Sequence, residues 1–323
     1  MTWSSSPRIV RCAGRRRHLA SVSPLRSCDS STVTWMPELP VPRSLADLLD
    51  LEVLDRDLFR GFNVGLDRHR LFGGQVAAQA LCAAGLTVPD DRLPHSIHGY
   101  FLRRGRPDRA VILHVDRDRD GGSFSARHVR AVQDGEVIFS MLASFAVERP
   151  GGEFEALART DRQPPTDVDR VGHALLLDIV EINPLMVEDG RVTHPDALWI
   201  RVRDPLPDSR LVRACAVTYL SDLGTGFGQV DAEGVGTGGP SINHVMWFRR
   251  DVDPCDWLLL DLQPGAAAGG LGVYTGTVRD RDGRLAALLA QEMLLRMHSP
   301  DELEQLAEIV ELRRRSAPRR KGR

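Results

Sequence analysis

The chain repeats itself, and this limits what it can fold into more than its composition does. The segment His95-Ser-Ile-His-Gly-Tyr-Phe-Leu-Arg-Arg104 is echoed by Gly239-Pro-Ser-Ile-Asn-His-Val-Met-Trp-Phe-Arg-Arg250, with His98 under His244, Phe101 under Trp247 and Arg103 under Arg249, an offset of 146 residues. Downstream, the Asp134-Gly-Glu-Val-Ile-Phe segment answers Asp282-Gly-Arg-Leu-Ala-Ala at an offset of 148. Upstream, two helix-like stretches, Gly73 to Gly85 and Leu211 to Asp222, each precede their strand by a similar distance. Self-similarity at a fixed spacing marks a duplicated unit. Each unit reads helix, strand, strand, Asp-Gly turn, strand, and an antiparallel meander that follows one long helix buries that helix by curling around it.

The pattern predicts the elements in order. A short lead-in helix is expected within Ser44 to Leu58, where Leu45, Leu48, Leu49 and Leu51 recur at helical spacing and Ser44 with Asp47 forms a capping pair. A loop from Pro89 to Pro94 separates the first long helix from strands near 95–102, 110–118, 123–133 and 136–147. Residues 149–174, rich in Pro, Gly, Arg and Asp, form a crossover, after which strands are expected near 179–183 and 198–203. Gly224 to Gly239 reads as a glycine-rich loop. Neither of its glycine clusters follows a strand and opens a helix, so it lacks the context of a phosphate cradle.

Three polar residues stand out against this frame. Asp222 ends a helical stripe of Leu211, Cys215 and Thr218 that faces the core, where a carboxylate is costly unless partnered or used. Gln291 lies on the strand 285–295 among Ala287, Leu289, Met293 and Leu295, on the face that points inward. Ser241, taken alone, reads as a turn serine ahead of the strand that carries His244. The pairs His95/His98 and Ser241/His244 are each three apart, which on one strand sets them on opposite faces, and His98 and His244 read as structural. No His-x-x-x-His or Cys-x-x-Cys pair occurs, and Ser241 lacks a Gly-x-Ser-x-Gly elbow, so neither a metal site nor a serine nucleophile is expected.

Phe72-Gly-Gly-Gln-Val, His95-Ser-Ile-His-Gly-Tyr-Phe-Leu, Asp120-Gly-Gly-Ser-Phe-Ser-Ala-Arg, Tyr219-Leu-Ser-Asp-Leu and Asn243-His-Val-Met-Trp-Phe together resemble the acyl-CoA thioesterase II family, over roughly residues 45–298. The resemblance implies an α+β double hot-dog, two antiparallel sheets each wrapped around a long helix. It implies hydrolysis of fatty acyl-CoA to free fatty acid and coenzyme A, with water held by Asp222, Ser241 and Gln291, no cofactor and no metal. Asn243-His244-Val245 departs from the more usual Asp-His-Ser of the family. At the repeat offsets the first half has Val76 for Asp222, His95 for Ser241 and Ala143 for Gln291, so one reaction centre per chain is expected. The resulting division is a basic, disordered extension (1–40), an N-terminal hot-dog (41–150), a crossover (151–178), a C-terminal hot-dog with the site (179–298) and a C-terminal helix with a basic tail (299–323).

Composition narrows the partners. Five scattered cysteines give no disulfide framework, and no apolar run is long enough to span a membrane, which points to a cytoplasmic setting. Residues 1–35 carry a net +5 and 313–323 a net +7, leaving about −14 on the body. Lys321 is the only lysine, so arginine supplies every other positive charge and the basic ends read as solvated tails; no nucleic-acid partner is expected. Homo-oligomers through sheet edges are expected. Two alternatives stay open at this stage, a non-catalytic acyl-CoA-binding hot-dog protein and a hot-dog enoyl-CoA hydratase. The hydratase would need a His about five residues after Asp222, where Phe227 stands.

Overall fold

The structure, a computed structural model, describes residues 41–64, 70–157, 162–165, 177–181, 186–188, 191–193, 197–227 and 237–296. Its first half holds α1 (Leu45–Leu49), β1 (Glu52–Asp55), β2 (Leu58–Gly61), α2 (Gly73–Gly85), β3 (Arg92–Phe101), β4 (Val111–Asp120), β5 (Phe124–Gln133) and β6 (Glu136–Val147). The second half holds β7 (Leu177–Glu181), β8 (Met186–Glu188), β9 (Arg191–Thr193), β10 (Ala197–Val202), α3 (Arg210–Ser221), β11 (Thr237–Ser241), β12 (Asn243–Phe248), β13 (Leu258–Ala268), β14 (Leu271–Asp280) and β15 (Leu285–Arg296).

All strands except the small β8–β9 pair join one antiparallel sheet, ordered β1-β2-β4-β5-β6-β3-β12-β15-β14-β13-β10-β7 with β11 set against β15. The two repeats meet at the β3–β12 pair, where His98 lies opposite Val245. The sheets expected for the two halves are thus continuous across this joint. The first half's strands wrap α2, whereas α3 packs on α2, β3 and β10. Residues Gly74 to Gly85 of α2 are all buried, and α2 packs on β3, β4, β5 and β6. Its alanines and glycines remove the bulk that would hold the sheet away.

Burial alternates along the strands as a one-sided sheet requires. Ile97 and Gly99 of β3 point inward while His98 is exposed, and Leu289, Gln291, Met293 and Leu295 of β15 are all buried. Arg127, fully buried on β5, ties α2 to its sheet by donating to the Thr87 carbonyl (3.0 Å), Thr87 Oγ1 (2.7 Å) and Asp120 (2.7 Å).

The two helices run antiparallel and touch along their length. At one end Gly85 lies against Leu211, and at the other Gly74 lies against Tyr219 and Gly73 against Asp222. A Cβ on Gly74 would stand 2.5 Å from the Tyr219 carbonyl oxygen, so here the contact is backbone on backbone.

Several expectations shift. The lead-in helix is a single turn, α1, closed by the Ser44/Asp47 capping box, and Glu52–Asp55 and Leu58–Gly61 are strands. The apolar spacing of Leu51 continued the helical period, but the β1–β2 hairpin pairs onto β4 and overrides it. β3 begins at Arg92, inside the expected Pro89–Pro94 loop, because Pro94 stands beside a register shift in the β3–β6 pairing. The N-terminal extension, the C-terminal helix and tail, and residues 228–236 of the glycine-rich loop lie outside the described residues.

Replacing Gly74 with Ala forces the two helix backbones apart. Overpacking of this kind costs about 1–3 kcal/mol. The Gly74→Ala protein is expected to unfold at clearly lower urea concentration than the parent; an unchanged midpoint would show that the helices separate freely.

Candidate active site

Asp222 is the C-cap residue of α3, one position past the last helical turn. That end of α3 abuts the start of α2, whose N-cap Phe72 supplies no side-chain cap. The N–H groups of the first turn of α2 therefore face outward without partners of their own helix, and this end carries partial positive charge. The Gly74 N–H donates to the Asp222 carboxylate. A Cβ on Gly73 would lie 2.7 Å from Asp222 Oδ2 and 2.9 Å from the Phe101 ring, so only glycine fits between them.

Gln291 gathers the rest. Its Nε2 donates to Asp222 Oδ1 at 3.0 Å and to Ser241 Oγ. With both amide hydrogens committed, its Oε1 can only accept, and it does so from Nδ1–H of His244. His244 Nε2 in turn lies 2.9 Å from Ser221 Oγ, on the last turn of α3. Gln291 and His244 are 2% and 1% exposed, and every one of these polar groups is partnered, as burial requires. Ser241 accepts from Gln291, which leaves its own O–H to donate outward.

The structure thus brings Asp222, Ser241 and Gln291 together, on three different elements. It also adds His244, which sequence reasoning set aside. Ser241 and His244 were expected on opposite faces because three residues separate them. The pairing to β15 slips by one residue between them, with Ser241 opposite Met293 but Val245 opposite Ala290, and a one-residue slip returns both side chains to one face. The Ser-Ile-Asn-His spacing conceals this break. A signal did exist in the Tyr219-Leu-Ser-Asp222 run, which places Ser221 beside Asp222, but nothing in the sequence says that Ser221 meets His244.

The repeat alignment also needs correcting. His98 is exposed and touches Trp247 edge-on at 5.7 Å, whereas His244 is buried, so pairing them at 146 is one residue out. About the His98–Val245 centre of the β3–β12 joint, His244 is matched by Ile97. The C-cap of α2, and so the match of Asp222, is Leu86 rather than Val76. Ser241 is matched by Pro94 rather than His95, since each is the last residue before its strand's register slip. Ala143, opposite Ile97, keeps its place against Gln291. The first half therefore presents Leu86, Pro94, Ile97 and Ala143 where the second presents Asp222, Ser241, His244 and Gln291.

Electrostatics follow from packing. Asp222 keeps an exposed edge as a residue, yet its carboxyl group is packed round by protein. Burial raises its pKa above the usual 3.8, opposed by His244, the Gln291 amide, the Gly74 N–H and Arg70. Burial, and then the nearby Asp222 charge, push the Tyr274 phenol up. Tyr274 pairs across the sheet with Gln291. No group of three or more His, Cys, Asp or Glu side chains arranged to hold a metal occurs among the described residues.

A curled antiparallel sheet around a helix, doubled, with a carboxylate at one helix end meeting the N-terminus of the other, is the architecture of a double hot-dog protein. Family profiles agree: the Acyl-CoA thioesterase N-terminal domain matches residues 66–146 and the Acyl-CoA thioesterase C-terminal domain residues 155–295. Acyl-coenzyme A thioesterase 8 of Mus musculus is 32% identical over 286 residues, covering 78% of this chain and 89% of the relative. The crystal structure of an acyl-CoA thioesterase II, TesB2, from Mycobacterium marinum superposes with a TM-score of 0.66 at 35% identity, covering 79% of this chain and 98% of that one. A conserved protein of unknown function with a hot dog fold from Alicyclobacillus acidocaldarius shares the fold, with a TM-score of 0.65 at 20% identity over 80% of this chain and 100% of its own. The chain belongs to the acyl-CoA thioesterase family.

Asp222 is held in a way that opposes its ionisation. The native state keeps the proton more tightly than the unfolded chain, so stability falls as pH rises from the ordinary 3.8 through the raised value. Asp222→Asn is expected to raise the urea midpoint at pH 7, with the difference vanishing below 3.8, where the carboxyl is protonated in both states. A lower midpoint for the variant at pH 7 would contradict this account.

Proposed function

We propose that the chain hydrolyses fatty acyl-CoA to a free fatty acid and coenzyme A, using water activated by Asp222, Ser241 and Gln291. The observation that carries the reading is the Gln291 amide, which bridges Asp222 and Ser241 at the uncapped N-terminus of α2. In this scheme the water lies among the three side chains, donating to Asp222 and accepting from the Ser241 hydroxyl. Asp222 takes its proton as the oxygen attacks the thioester carbonyl carbon. Negative charge gathering on the carbonyl oxygen is stabilised by first-turn N–H groups of α2, which are in place before the reaction and need no reorganisation. The carbon–sulfur bond then breaks as protonated Asp222 returns its proton to the departing sulfur, giving the thiol, and the carboxylic acid left behind loses its proton to solvent. A raised Asp222 pKa makes a better base than a free carboxylate, which suits this step.

His244 has a supporting part in the scheme. By accepting from His244, the Gln291 oxygen is turned away from Asp222, which keeps the NH2 end on the reactive side. The hydratase alternative loses ground because Phe227 is buried, with its ring 6.4 Å from that of Tyr274. We assign the two hot-dogs to 41–150 and 179–298, with only the second reactive. Cytoplasmic residence, in keeping with the free thiols of Cys82, Cys215 and Cys255, and homo-oligomers formed through exposed edges such as β1 complete the reading.

Thiol release from a panel of acyl-CoAs tests it. Asp222→Asn and Gln291→Ala are each expected to lower kcat by about 10²–10⁴-fold with the fold retained, the range of a lost general base. Near-normal turnover in Asp222→Asn would remove Asp222 from the mechanism. His244→Leu should lower kcat with little change in KM, because substrate contacts survive while the Gln291 amide loses its fixed orientation.

A further inference from the structure

The duplication places a second cavity at the position that mirrors the reaction centre. It lies beside the first turns of α3 and the start of β3, as the reaction centre lies beside the first turn of α2 and the start of β12, and the ends of β6 and β12 close it. Its volume is about 430 Å³, within the range of small-molecule sites. Of the residues that stand in this half for Asp222, Ser241, His244 and Gln291, only Pro94 lines the cavity. A space has been kept without the chemistry.

We propose that this cavity is a second, non-hydrolytic ligand site for a fatty carboxylate. Its apolar lining comes from Leu93, Val147, Ala214, Val217, Phe248 and Ala286. Its rim carries four arginines, three of them committed. Arg210 pairs with Glu148 (2.9 Å) and Asp251 (3.3 Å), Arg213 with Asp251 (2.6 Å) and Asp208 (2.8 Å), and Arg250 with Glu153. Arg249 alone among these has no carboxylate partner among the described residues; its guanidinium reaches only the Phe248 carbonyl, at 3.1 Å. Beside it is His95, half-buried, with Nε2 held 2.8 Å from Ser144 Oγ. Burial and the charge of Arg249 keep the His95 imidazole below its ordinary 6.5, so it adds little positive charge at neutral pH.

Arg249, whose guanidinium touches no carboxylate among the described residues, lies beside apolar lining and can take a monoanion with a hydrocarbon tail. A carboxylate can take a forked pair of hydrogen bonds from Arg249 while its chain lies along the apolar lining. A polyphosphate head brings several charges that the committed arginines cannot meet without breaking their ion pairs. The source of such a carboxylate, as the product of the same chain, rests on the function proposed above, whereas the site itself rests only on the cavity and its rim.

The test is a calorimetric titration of decanoate into the full-length parent, Asp222→Asn and Arg249→Gln, with the His95 ring proton followed by NMR and assigned through His95→Asn. Decanoate is expected to bind Asp222→Asn as it binds the parent, to bind Arg249→Gln about tenfold or more weakly, and to move the His95 resonance, while Arg249→Gln keeps its turnover. Equal affinity in Arg249→Gln, or a His95 resonance that decanoate leaves in place, overturns the proposal. If Arg249→Gln does not fold, the His95 resonance of the parent decides alone. Arg249-dependent decanoate binding in a chain that releases no thiol from any acyl-CoA would uphold this site and sink the proposed reaction; turnover without decanoate binding at His95 would do the reverse.

Discussion

Everything in this molecule that bears on chemistry depends on the contact between two antiparallel helix backbones. Glycine at 73, 74 and 85 lets α2 and α3 approach until a carbonyl of one touches the Cα of the other, leaving no room for a side chain between them. The consequence is electrostatic as well as steric. The end of α3 is brought onto the start of α2, so that a carboxylate at the C-cap of one helix lies against the first-turn N–H groups of the other and accepts from that of Gly74. A polar pocket is thereby made inside an otherwise apolar joint, and it exists only because the two repeats are docked.

The pocket is held by a chain of hydrogen bonds in which each partner has one job. Ser221 meets His244, His244 aims Gln291, and Gln291 spans Asp222 and Ser241. Such a network is costly if any member is missing, since burial leaves the remaining groups without water to replace it. It also explains how a carboxylate whose burial opposes ionisation is tolerated. The site trades stability for a carboxyl group whose proton affinity is raised above that of a solvated one.

Duplication supplied two such joints and only one kept its polar members. At the counterpart positions leucine, proline, isoleucine and alanine stand where the second half has the acid, the hydroxyl, the imidazole and the amide. The halves therefore differ at the helix ends and strand starts, where the proposed reaction is placed.

The sequence by itself determined the repeat, the helix–meander order and the strands from 110 to 147, and it singled out Asp222, Ser241 and Gln291, which the fold brings together. These are legible because hydrophobic period and Asp-Gly turns are local, and because the motifs carry the likeness to a known family. It did not determine that Ser241 and His244 share a face, that Ser221 belongs to the network, or that Leu86 and Pro94 are the counterparts of Asp222 and Ser241. Those depend on a one-residue slip between paired strands and on which end of one helix meets which end of the other. Register and docking are set by partners more than a hundred residues apart in the case of α2 and α3, and no local pattern encodes them; only the tertiary structure decides.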